Sequence, residues 1–476
     1  MTVLEQPSKP SRAARSDVAD RVERGRSVRA EVPRSSHGAW EPAPDRRDPV
    51  ELLEEQAATR VQELVPIRYG RMLASPFTFY RGAAYVMASD LAPTPRTGLE
   101  VQLCGDAHLS NFGAFAAPDR RVIFSVNDFD ETLPGPFEWD LKRLVASFAV
   151  AGRERGFDAD ERLRITATVA RAYREAMHAF AAMGTLELWY ARIELDEIVE
   201  MTMRAKANPK QVKRFEKNVA KARSKNSMRA LSKLTTVRDG ETRIVSDPPL
   251  IIPVEEIPGT GRREEIDAYA RGVIRSYRRT LPADRRRLLD RFRYVHAARK
   301  VVGVGSVGTR AWVMLMLGRD GDDPLFLQFK EAQSSVLEPF LGRSEYDNHG
   351  RRVVEGQRLT QAASDILLGW LRTPDLGGVQ RDFYVRQLWD AKGSALVELM
   401  APNTMTLYAR LCGRSLAKTH ARSGDAVAIA AYLGTSTRFD RALAAFAESY
   451  ADQNERDHRA LADAAASGRV VAETDL

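Results

Sequence analysis

Two short apolar stretches of this sequence each run into a loop that carries acidic and amide side chains. The first reads QLCGDAHLSNFG and places Asn111 five positions after Asp106. The second reads IFSVNDFDE and contains Asp128 and Asp130. Carboxylate and amide oxygens are ligands for a hard cation such as magnesium, and an aspartate can accept the proton of an attacking hydroxyl. The pattern matches the phosphoryl-transfer template, in which an Asp and an Asn five apart precede a metal-binding Asp.

A glycine-rich stretch later in the chain is suited to holding phosphates. It reads VVGVGSVGTR, in which Gly303, Gly305, Ser306 and Gly308 form the pattern GxGSxG. Glycines let the backbone approach phosphate groups where side chains would clash. Dinucleotide-binding folds share this spacing, but there a helix follows the glycines, whereas the segment AWVMLML that follows here predicts a strand. The context therefore favours the glycine loop of a kinase small lobe.

Lys330 ends the next predicted strand, which reads LFLQFK. The order glycine loop, strand, turn, strand and lysine is typical of kinases, so we expect Lys330 to contact the α- and β-phosphates of ATP. A surface lysine at a strand end is the structural alternative. A kinase lysine needs a carboxylate on the following helix, for which Glu355 is the first candidate and Glu331 and Glu338 are alternatives. Glu398 begins the segment ELMA, which is predicted to form the hinge near the adenine.

The acidic loops resemble those of kinases of the aminoglycoside-phosphotransferase type. The catalytic loop of that family reads like HGDxHxxN, where this chain has CGDAHLSN; its magnesium segment reads like IDF or IDW before an acidic residue, where this chain has NDFDE. The resemblance implies ATP and Mg²⁺ as cofactors and Asp106 as the catalytic base. It assigns the metal to Asn111 and Asp128, with Asp130 as a further ligand. Cys104 replaces the first His of the family pattern, which we expect to affect packing more than chemistry.

Two further residues take their expected roles from the same resemblance. His108 matches the second His of the catalytic-loop pattern and is expected to order the loop. Asp140, in the segment EWDLKRL, resembles the aspartate that caps a helix and braces the catalytic loop in this family.

The kinase motifs occur in a rotated order along this chain. An ordinary kinase presents the glycine loop, lysine, hinge and a helix before the catalytic loop and the metal aspartate, whereas here the last two come first. Joining the end of a predicted helix near Ser423 to the start of a predicted strand near Leu99 restores the usual order. Permutation is tolerated where chain ends lie close together and the cut falls in a loop. We therefore predict an α+β, protein-kinase-like two-lobe fold, circularly permuted, with a small antiparallel sheet and a large helical lobe.

The whole pattern is also similar to a bacterial family catalogued as domain of unknown function 2252. The resemblance spans about residues 50–465 and includes SPFTFYRG, CGDAHLSNFG, NDFDE, GVGSVGTR, LQFKEA and VVEGQRLTQAASD. That family implies the architecture without naming a reaction. Within SPFTFYRG, Arg81 is either a phosphate or substrate contact or an arginine that braces a helix–loop junction.

The motifs divide the chain into four predicted parts. Residues 1–48 are rich in Pro, Ser, Arg and Asp and predict a disordered tail. Residues 49–298 predict a helical lobe that carries the catalytic and metal loops. Residues 299–401 predict the β domain with the glycine loop, and residues 402–476 predict helices that return to the helical lobe.

Three local elements are also predicted within these parts: a helix, a strand and a hairpin turn. Hydrophobic periodicity predicts a helix over residues 186–203 and a strand over residues 395–400. Asp239 and Gly240, between two β-prone segments, predict a hairpin turn.

Composition narrows the partners and the compartment. The 476 residues carry a formal net charge of +8, and residues 206–233 are strongly basic, as either a solvated helix or linker or an arm that touches an anionic substrate. No zinc-finger, homeodomain or RNA-binding signature occurs, so we expect no specific nucleic-acid partner. No apolar leader and no apolar run of about eighteen residues occurs, which predicts a cytoplasmic protein without membrane insertion. Cys104 and Cys412 are expected to be buried free thiols.

The sequence leaves four functions open. The first is an ATP- and Mg²⁺-dependent phosphotransferase that acts on an unknown small-molecule or protein acceptor. The second is a nucleotidyl transferase of kinase-like fold that transfers AMP with the same lysine and metal ligands. The third is a nucleotide-binding pseudokinase that regulates a partner, although such proteins usually lack the catalytic Asp, the metal Asp or the lysine. The fourth is nucleic-acid binding through the basic segment, which a steep salt dependence would support.

Overall fold

The computed structural model describes residues 17–198, 227–238, 240–301, 303, 305, 307–375, 377–388 and 393–474. Ser306, Asp239 and residues 206–226 of the basic segment lie outside the described residues. The helices are α1 Val18–Glu31, α2 Pro49–Ala57, α3 Val65–Leu73, α4 Pro76–Gly82, α5 Ala84–Leu91, α6 Phe137–Glu154, α7 Ala159–Ala181, α8 Thr185–Tyr190, α9 Ser227–Leu234, α10 Arg263–Arg278, α11 Ala283–Leu289, α12 Glu338–Leu341, α13 His349–Thr360, α14 Pro402–Ser423, α15 Ala426–Leu433 and α16 Arg438–Ala466.

The strands are short in the first half of the chain and longer after residue 290. They are β1 Glu100–Leu103, β2 Phe112–Ala116, β3 Val122–Val126, β4 Leu133–Pro136, β5 Ile193–Glu194, β6 Thr235–Arg238, β7 Glu241–Ile244, β8 Ile251–Pro253, β9 Arg293–Lys300, β10 Ala311–Leu317, β11 Pro324–Glu331, β12 Gly369–Pro374, β13 Gln380–Gln387 and β14 Gly393–Ser394. Each paired strand runs antiparallel to its neighbour.

The helical part is built around α6, α7, α14 and α16, which pack against one another. A capping box fixes the start of α7, because Asp158 accepts from the Glu161 N–H and Glu161 accepts from the Asp158 N–H. The apolar faces of these helices join those of α2–α5 and α15 in one large core, which also buries Cys104 and Cys412 as free thiols. Among the described helices, none combines the length and apolar character needed to cross a membrane.

A six-stranded sheet with strand order β12–β13–β11–β10–β9–β8 forms the second part. Every residue of β11 is buried, because α10 and α11 cover one face of the sheet while α9 and the β6–β7 hairpin cover the other. Lys330 of β11 lies opposite Ala311 of β10 and Tyr384 of β13. Helix α13 is inserted between β11 and β12 and packs on β12 and β13. The predicted hairpin is confirmed by the pairing of β6 with β7.

Two small sheets carry the acidic loops. β1 pairs with β4 and runs into residues 104–111, here called the Asp106 loop. β3 pairs with β2 and runs into residues 127–132, here called the Asp128 loop. Because Phe112 lies opposite Val126 in this hairpin, the end of the first loop and the start of the second are neighbours.

The N-terminal segment corrects the prediction of a disordered tail over residues 1–48. Within its described residues, α1 is a capped helix that packs against α15. Gly25 permits the close approach, since a Cβ at that position would collide with the Ala428 carbonyl. Arg21 and Asp425 form an ion pair at 2.7 Å between the two helices. Polar contacts and a small residue hold α1, so the apolar periodicity that reveals most helices is missing from its sequence.

The predicted start of the β domain at residue 299 is also corrected. β8 and β9 belong to the six-stranded sheet, so this part begins at Ile251. The stretch between these two strands contains α10 and α11, which pack on the sheet rather than joining the helical core. The helical pattern of α10 and α11 was therefore wrongly assigned to the helical lobe.

Two local predictions differ from the structure. The helix predicted over residues 186–203 is interrupted: α8 ends at Tyr190, β5 pairs with β3, and residues 195–198 are helical again. Residues 199–203 lie outside the description. The strand predicted over residues 395–400 is replaced by a 3-10 turn at Val397–Leu399. The strand that does form there is β14, which pairs with β2 of the helical part. The segment therefore passes from the six-stranded sheet to the small sheet beside the acidic loops.

Candidate functional site

The two acidic loops and the six-stranded sheet enclose a cavity of about 550 Å³. Lys330 and Asp130, which are 200 positions apart in sequence, form an ion pair at its wall. The predicted site residues that line the cavity together are Asp106, Asn111, Asp128, Asp130, Gly303, Gly305 and Lys330. The fold thus brings together motifs that the sequence separates.

The Asp106 loop is fixed from behind by buried Asp140 of α6. Its Oδ2 accepts from the Cys104 N–H at 2.6 Å, and its Oδ1 accepts from the Gly105 N–H at 3.0 Å. His420 of α14 places Nε2 3.2 Å from the same Oδ2. Gly105 adopts a φ of +84°, and a Cβ there would collide with the backbone of Glu131. The structure therefore contains the brace that was expected of Asp140.

The carboxylate of Asp106 lines the cavity but is also bound by an arginine. Arg143 of α6 donates from Nε to Oδ1 at 2.8 Å, and its Nη2 lies 2.7 Å from the same oxygen as an ion pair. Burial raises the pKa of Asp106, although the Arg143 charge opposes that shift. His108 places Nε2 3.7 Å from Oδ2 and accepts from the Ser110 N–H through Nδ1 at 3.2 Å. Burial lowers the pKa of His108 well below its usual value, so a neutral imidazole orders this loop.

Asn111 joins the Asp106 loop to the Asp128 loop. Its Nδ2 donates to the Asp106 carbonyl at 2.8 Å. Its own carbonyl accepts from the Asn127 N–H at 2.8 Å. Because the amide nitrogen is used in this way, Oδ1 of Asn111 is the atom that can act as a ligand.

The Asp128 loop presents two carboxylates of different character. Asp130 is ion-paired with Lys330, and its Oδ1 accepts from Tyr384 Oη at 2.8 Å. Burial raises the pKa of Asp130, but Lys330 and Tyr384 outweigh burial and lower it. Asp128 accepts from the Asp130 N–H at 3.3 Å, and burial together with the Asp130 charge raises its pKa. A buried carboxylate whose charge is disfavoured in this way is stabilised by a cation.

The donor set fits a magnesium ion that also binds phosphates. Asp128 and Oδ1 of Asn111 are oxygen donors at the same cavity, whereas Asp130 is engaged by Lys330. In the described part of the chain, no group of three or more His, Cys, Asp or Glu side chains is gathered to hold a metal by itself. Magnesium sites typically use one or two carboxylates and complete the shell with water and substrate phosphates. Asp128 and Asn111 match that kind of site.

The carboxylate partner of Lys330 differs from the predicted one. Glu355 of α13 lies 3.4 Å from Arg358, and Asp130 takes the place beside Lys330. Arg352, one helical turn before Glu355, is the α13 residue that reaches the loop, where it donates to the Asp130 carbonyl at 2.7 Å. The side chain by which α13 reaches the site is therefore an arginine on a backbone carbonyl, and the carboxylate beside Lys330 comes from the Asp128 loop.

The remaining carboxylates of the prediction lie at the edges of the site. Glu331 accepts from the Arg310 N–H at 3.0 Å, and Glu338 accepts from a backbone N–H before α12 at 3.3 Å. Glu398 is exposed in the 3-10 turn after β14. Burial lowers the pKa of Arg81, a residue that lines the cavity, and the charge of Glu398 opposes that shift, so the predicted hinge glutamate lies near the site.

The described residues of the glycine loop are anchored by the segment before α3. Buried Arg60 donates to the Gly305 carbonyl at 3.0 Å and also to the Val307 carbonyl. The Val61 N–H donates to the Gly308 carbonyl at 2.8 Å. Gly308 has a φ of +88°, and a Cβ there would lie 3.0 Å from the Arg60 Cβ, so it packs against this segment while Gly305 lines the cavity.

Comparison with known families assigns the chain to one of them. A family model described as "Uncharacterized protein conserved in bacteria (DUF2252)" matches residues 60–464. The chain belongs to this family. The match covers both acidic loops, the glycine loop and Lys330, and it leaves α1 outside. No curated protein and no solved structure matches the chain.

Three residues of the DUF2252 site escaped prediction from the sequence. Arg143 follows Asp140 by three positions on α6, and this spacing places both on one helix face. Tyr384 and Arg386 alternate on β13, so they share a face of the sheet, and Tyr384 lies opposite Lys330. Arg386 lines the cavity, and its charge opposes the rise that burial and Asp130 cause in the pKa of Asp128. Spacing to Asp140 was the signal for Arg143, whereas Tyr384 and Arg386 reach the site only through the pairing of β13 with β11.

Proposed function

We propose that this chain is an ATP- and Mg²⁺-dependent phosphotransferase that acts on a hydroxyl of an unknown small-molecule or protein acceptor. The observation that carries the proposal is the meeting of five functional residues at one cavity. They are the lysine Lys330, the oxygen ligands Asn111 and Asp128, the buried carboxylate Asp106 and the glycine Gly305. Each has a defined role in the phosphoryl-transfer template.

The sheet order supports a kinase-like small lobe. Read from β9, the order is β9, β10, β11, β13, β12, with the glycine loop between the first two strands and Lys330 on the third. Helix α13 lies between the third and fourth strands of the chain order. A glycine loop, a lysine on the third strand and a helix after it are the ATP-binding parts of protein kinases.

The position of the α14 end supports circular permutation. The Gln102 N–H of β1 donates to Ser423 Oγ at 3.0 Å, at the last residue of α14. A Cβ at Gly424 would lie 2.7 Å from the Glu100 carbonyl. The two positions whose joining restores the usual motif order are therefore in contact. The unusual order in sequence needs no unusual order in space.

The proposed reaction transfers the γ-phosphoryl group of ATP to the acceptor. The acceptor oxygen attacks γ-phosphorus, the bond to the bridging oxygen breaks, and its electron pair leaves with ADP. The hydroxyl proton passes to Asp106, whose buried carboxylate has a raised pKa that favours proton acceptance. Since Arg143 occupies Oδ1, the proton goes to Oδ2. Lys330 would bind the non-transferred phosphates, and Asp128 and Asn111 would hold a magnesium ion, which would supply positive charge to neutralise the phosphates.

The proposal is tested by the stability of the full-length protein with and without ATP and MgCl₂. We expect Mg²⁺-dependent stabilisation of the wild type, by about 2.7 kcal/mol at a hundredfold excess over the dissociation constant. Asp128→Asn should remove most of the Mg²⁺-dependent part. Asp320→Asn, the same chemical change in the exposed turn between β10 and β11, should leave it unchanged. A folded wild type that gains nothing at saturating nucleotide would end the proposal.

One observation favours a second candidate, a nucleotide-binding pseudokinase. The carboxylate assigned as base accepts from Arg143 Nε and forms an ion pair with that guanidinium, an arrangement that also suits a purely structural aspartate. Products separate the possibilities once ATP binding is established. ADP release with a labelled acceptor indicates phosphotransfer, pyrophosphate release indicates AMP transfer, and binding without turnover indicates the pseudokinase.

A further inference from the structure

Arg81 lies at the C-terminal end of α4 and lines the cavity. Among the described residues, its buried Nε has no hydrogen-bond partner. A buried guanidinium N–H without an acceptor costs free energy unless a ligand supplies one. The side chain therefore requires an explanation beyond packing.

Other buried arginines of the molecule show what a bracing role looks like. Arg60 donates to two glycine-loop carbonyls. Arg143 donates to the Tyr80 carbonyl as well as to a carboxylate. Arg352 donates to carbonyls on both sides of α13. The Nε of Arg60 and of Arg352 is also unpaired, but the terminal nitrogens of all three arginines donate to backbone oxygens. Arg81 differs because, among the described residues, its guanidinium has no such acceptor and lines the cavity instead.

Arg81 lines the same cavity as Asp106, the candidate base, and Asp128, the candidate metal ligand. Burial lowers the pKa of Arg81, and the charges of Asp106, Glu398 and Asp128 oppose that shift. In turn, the Arg81 charge contributes to lowering the pKa of His108 in the Asp106 loop. The Arg81 guanidinium therefore interacts electrostatically with both aspartates.

The backbone of Arg81 also touches the glycine loop. A Cβ added to Gly305 would lie 3.2 Å from the Arg81 carbonyl oxygen. Gly305 lines the same cavity as Asp106. A phosphoryl group that passes from a glycine-held nucleotide to an acceptor beside Asp106 must cross the space between them. Arg81 borders that space on the helical side.

We propose that Arg81 binds the oxygens of the transferring γ-phosphoryl group and acts as an arginine finger supplied by the same chain. The proposal rests on the phosphotransferase function proposed above. Charge spreads over the three equatorial oxygens of the phosphoryl group during transfer, and a planar guanidinium donates to two of them at once. Such arginines matter for the transition state more than for nucleotide binding. The equatorial oxygens of the transferring phosphoryl group would accept from the N–H groups of Arg81.

The test compares full-length wild type, Arg81→Lys and Arg81→Ala in Mg²⁺·ADP, with and without aluminium fluoride, which mimics the phosphoryl group in transfer. Thermal stability reports binding without any need for the acceptor. Arg278→Lys is the matched control, because Arg278 forms an exposed ion pair with Asp290. In the wild type and the control we expect Mg²⁺·ADP to raise the melting temperature and fluoride to raise it further.

Both Arg81 variants should keep the Mg²⁺·ADP shift and lose the additional fluoride shift. Hydrolysis of ATP, followed in parallel, should fall about 10³-fold in Arg81→Ala. An equal fluoride shift in the variants and the wild type overturns the role of Arg81, as does a wild type that gains nothing from fluoride beyond Mg²⁺·ADP. If the wild type does not bind Mg²⁺·ADP at all, the phosphotransferase proposal itself fails. Loss of the ADP shift in Arg81→Lys would show that Arg81 binds the ground state instead.

Discussion

The Asp106 loop and the Asp128 loop meet at one cavity, but different parts of the molecule hold them. The Asp106 loop is bound by helices of the helical part, through Asp140, Arg143 and Ser147 of α6 and His420 of α14. The Asp128 loop is bound from the other side, through Lys330 of β11, Tyr384 of β13 and Arg352 of α13. The side chains that hold the candidate base Asp106 therefore come from the helical part. The Asp128 loop, by contrast, connects the helical part to the six-stranded sheet.

This difference has a consequence for motion. A shift of the sheet relative to the helices changes the environment of Asp130 directly, because its partners lie on β11 and β13. The same shift leaves the bonds between Asp140 and the Asp106 loop intact. Entry of a nucleotide would bring phosphates to Lys330, which then compete with Asp130 for its charge. The Asp128 loop is thus the part of the site that can respond to a ligand.

The largest effect is expected from removing Lys330, whose ion pair with Asp130 connects the six-stranded sheet to the Asp128 loop. Lys330→Met leaves buried Asp128 and Asp130 without the ammonium group that stabilises them. Breaking a buried ion pair by removing one partner costs about 3–5 kcal/mol. Urea unfolding of the full chain should therefore show a lower free energy of unfolding by that amount.

The double variant Lys330→Met with Asp130→Asn sharpens the same prediction. Since Asp130→Asn removes one of the stranded charges, the pair should couple by at least about 1 kcal/mol in a double-mutant cycle. Additive losses in the cycle would mean that the two side chains do not stabilise each other. The ion pair would then not connect the sheet to the Asp128 loop.

A smaller effect is expected on the other side of the comparison. Asp140→Asn replaces one of the two charged acceptors that the Cys104 and Gly105 N–H groups use. Leaving a buried donor unsatisfied costs about 1–3 kcal/mol. Turnover should fall because the Asp106 loop loses its brace. Mg²⁺·ADP binding should weaken less, because Asp128 and Lys330 lie outside that loop and only the ligand Asn111 belongs to it. Asp158→Asn, which alters only the exposed cap of α7, is the control for a general loss of stability.

Loss of Mg²⁺·ADP binding in a folded Asp140→Asn protein would contradict this independence. The two loops would then have to be treated as one unit, in which the helices also set the geometry of the metal side.

The sequence reveals the local parts of this site better than the contacts between them. Asp106, Asn111, Asp128 and Lys330 could be placed because each belongs to a short motif next to a strand, where the loop geometry is determined locally. Their convergence at one cavity is what the structure adds.

The partner of Lys330 could not be read from the sequence, for a physical reason. Arg352 and Glu355 are one helical turn apart, so periodicity assigns both to the same face of α13. Only the position of α13 against the Asp128 loop decides that Arg352 reaches the loop, while Glu355 lies beside Arg358. Similarly, α1 has few apolar residues, and only its fit against α15 shows that it belongs to the fold.

The smallest of the expected effects extends the comparison to acid. His37, in the segment that follows α1, is buried in the helical part and places Nε2 2.7 Å from Tyr432 Oη. That hydroxyl donates to the Val32 carbonyl at 3.0 Å, so it accepts from His37, and the buried Nδ1 has no hydrogen-bond partner among the described residues. Burial and the charge of Lys142 lower the pKa of His37 to about 3. The fold therefore holds this imidazole neutral.

The unfolded chain protonates His37 near pH 6.5, whereas the folded chain does not do so until about pH 3. The stability that depends on His37 is complete above pH 6.5 and is lost as the pH falls towards 3. Between pH 7.5 and pH 5 the wild type should lose about 2 kcal/mol more than His37→Gln does. His178→Gln, a half-buried histidine of α7, is the control and should follow the wild type. Amide exchange at pH 5 should open α1 and α15 before the six-stranded sheet, because the group that takes up the proton lies between helices. Equal loss of stability in wild type and His37→Gln would mean that acid acts on other groups, such as the Asp128 and Asp130 carboxylates beside Lys330.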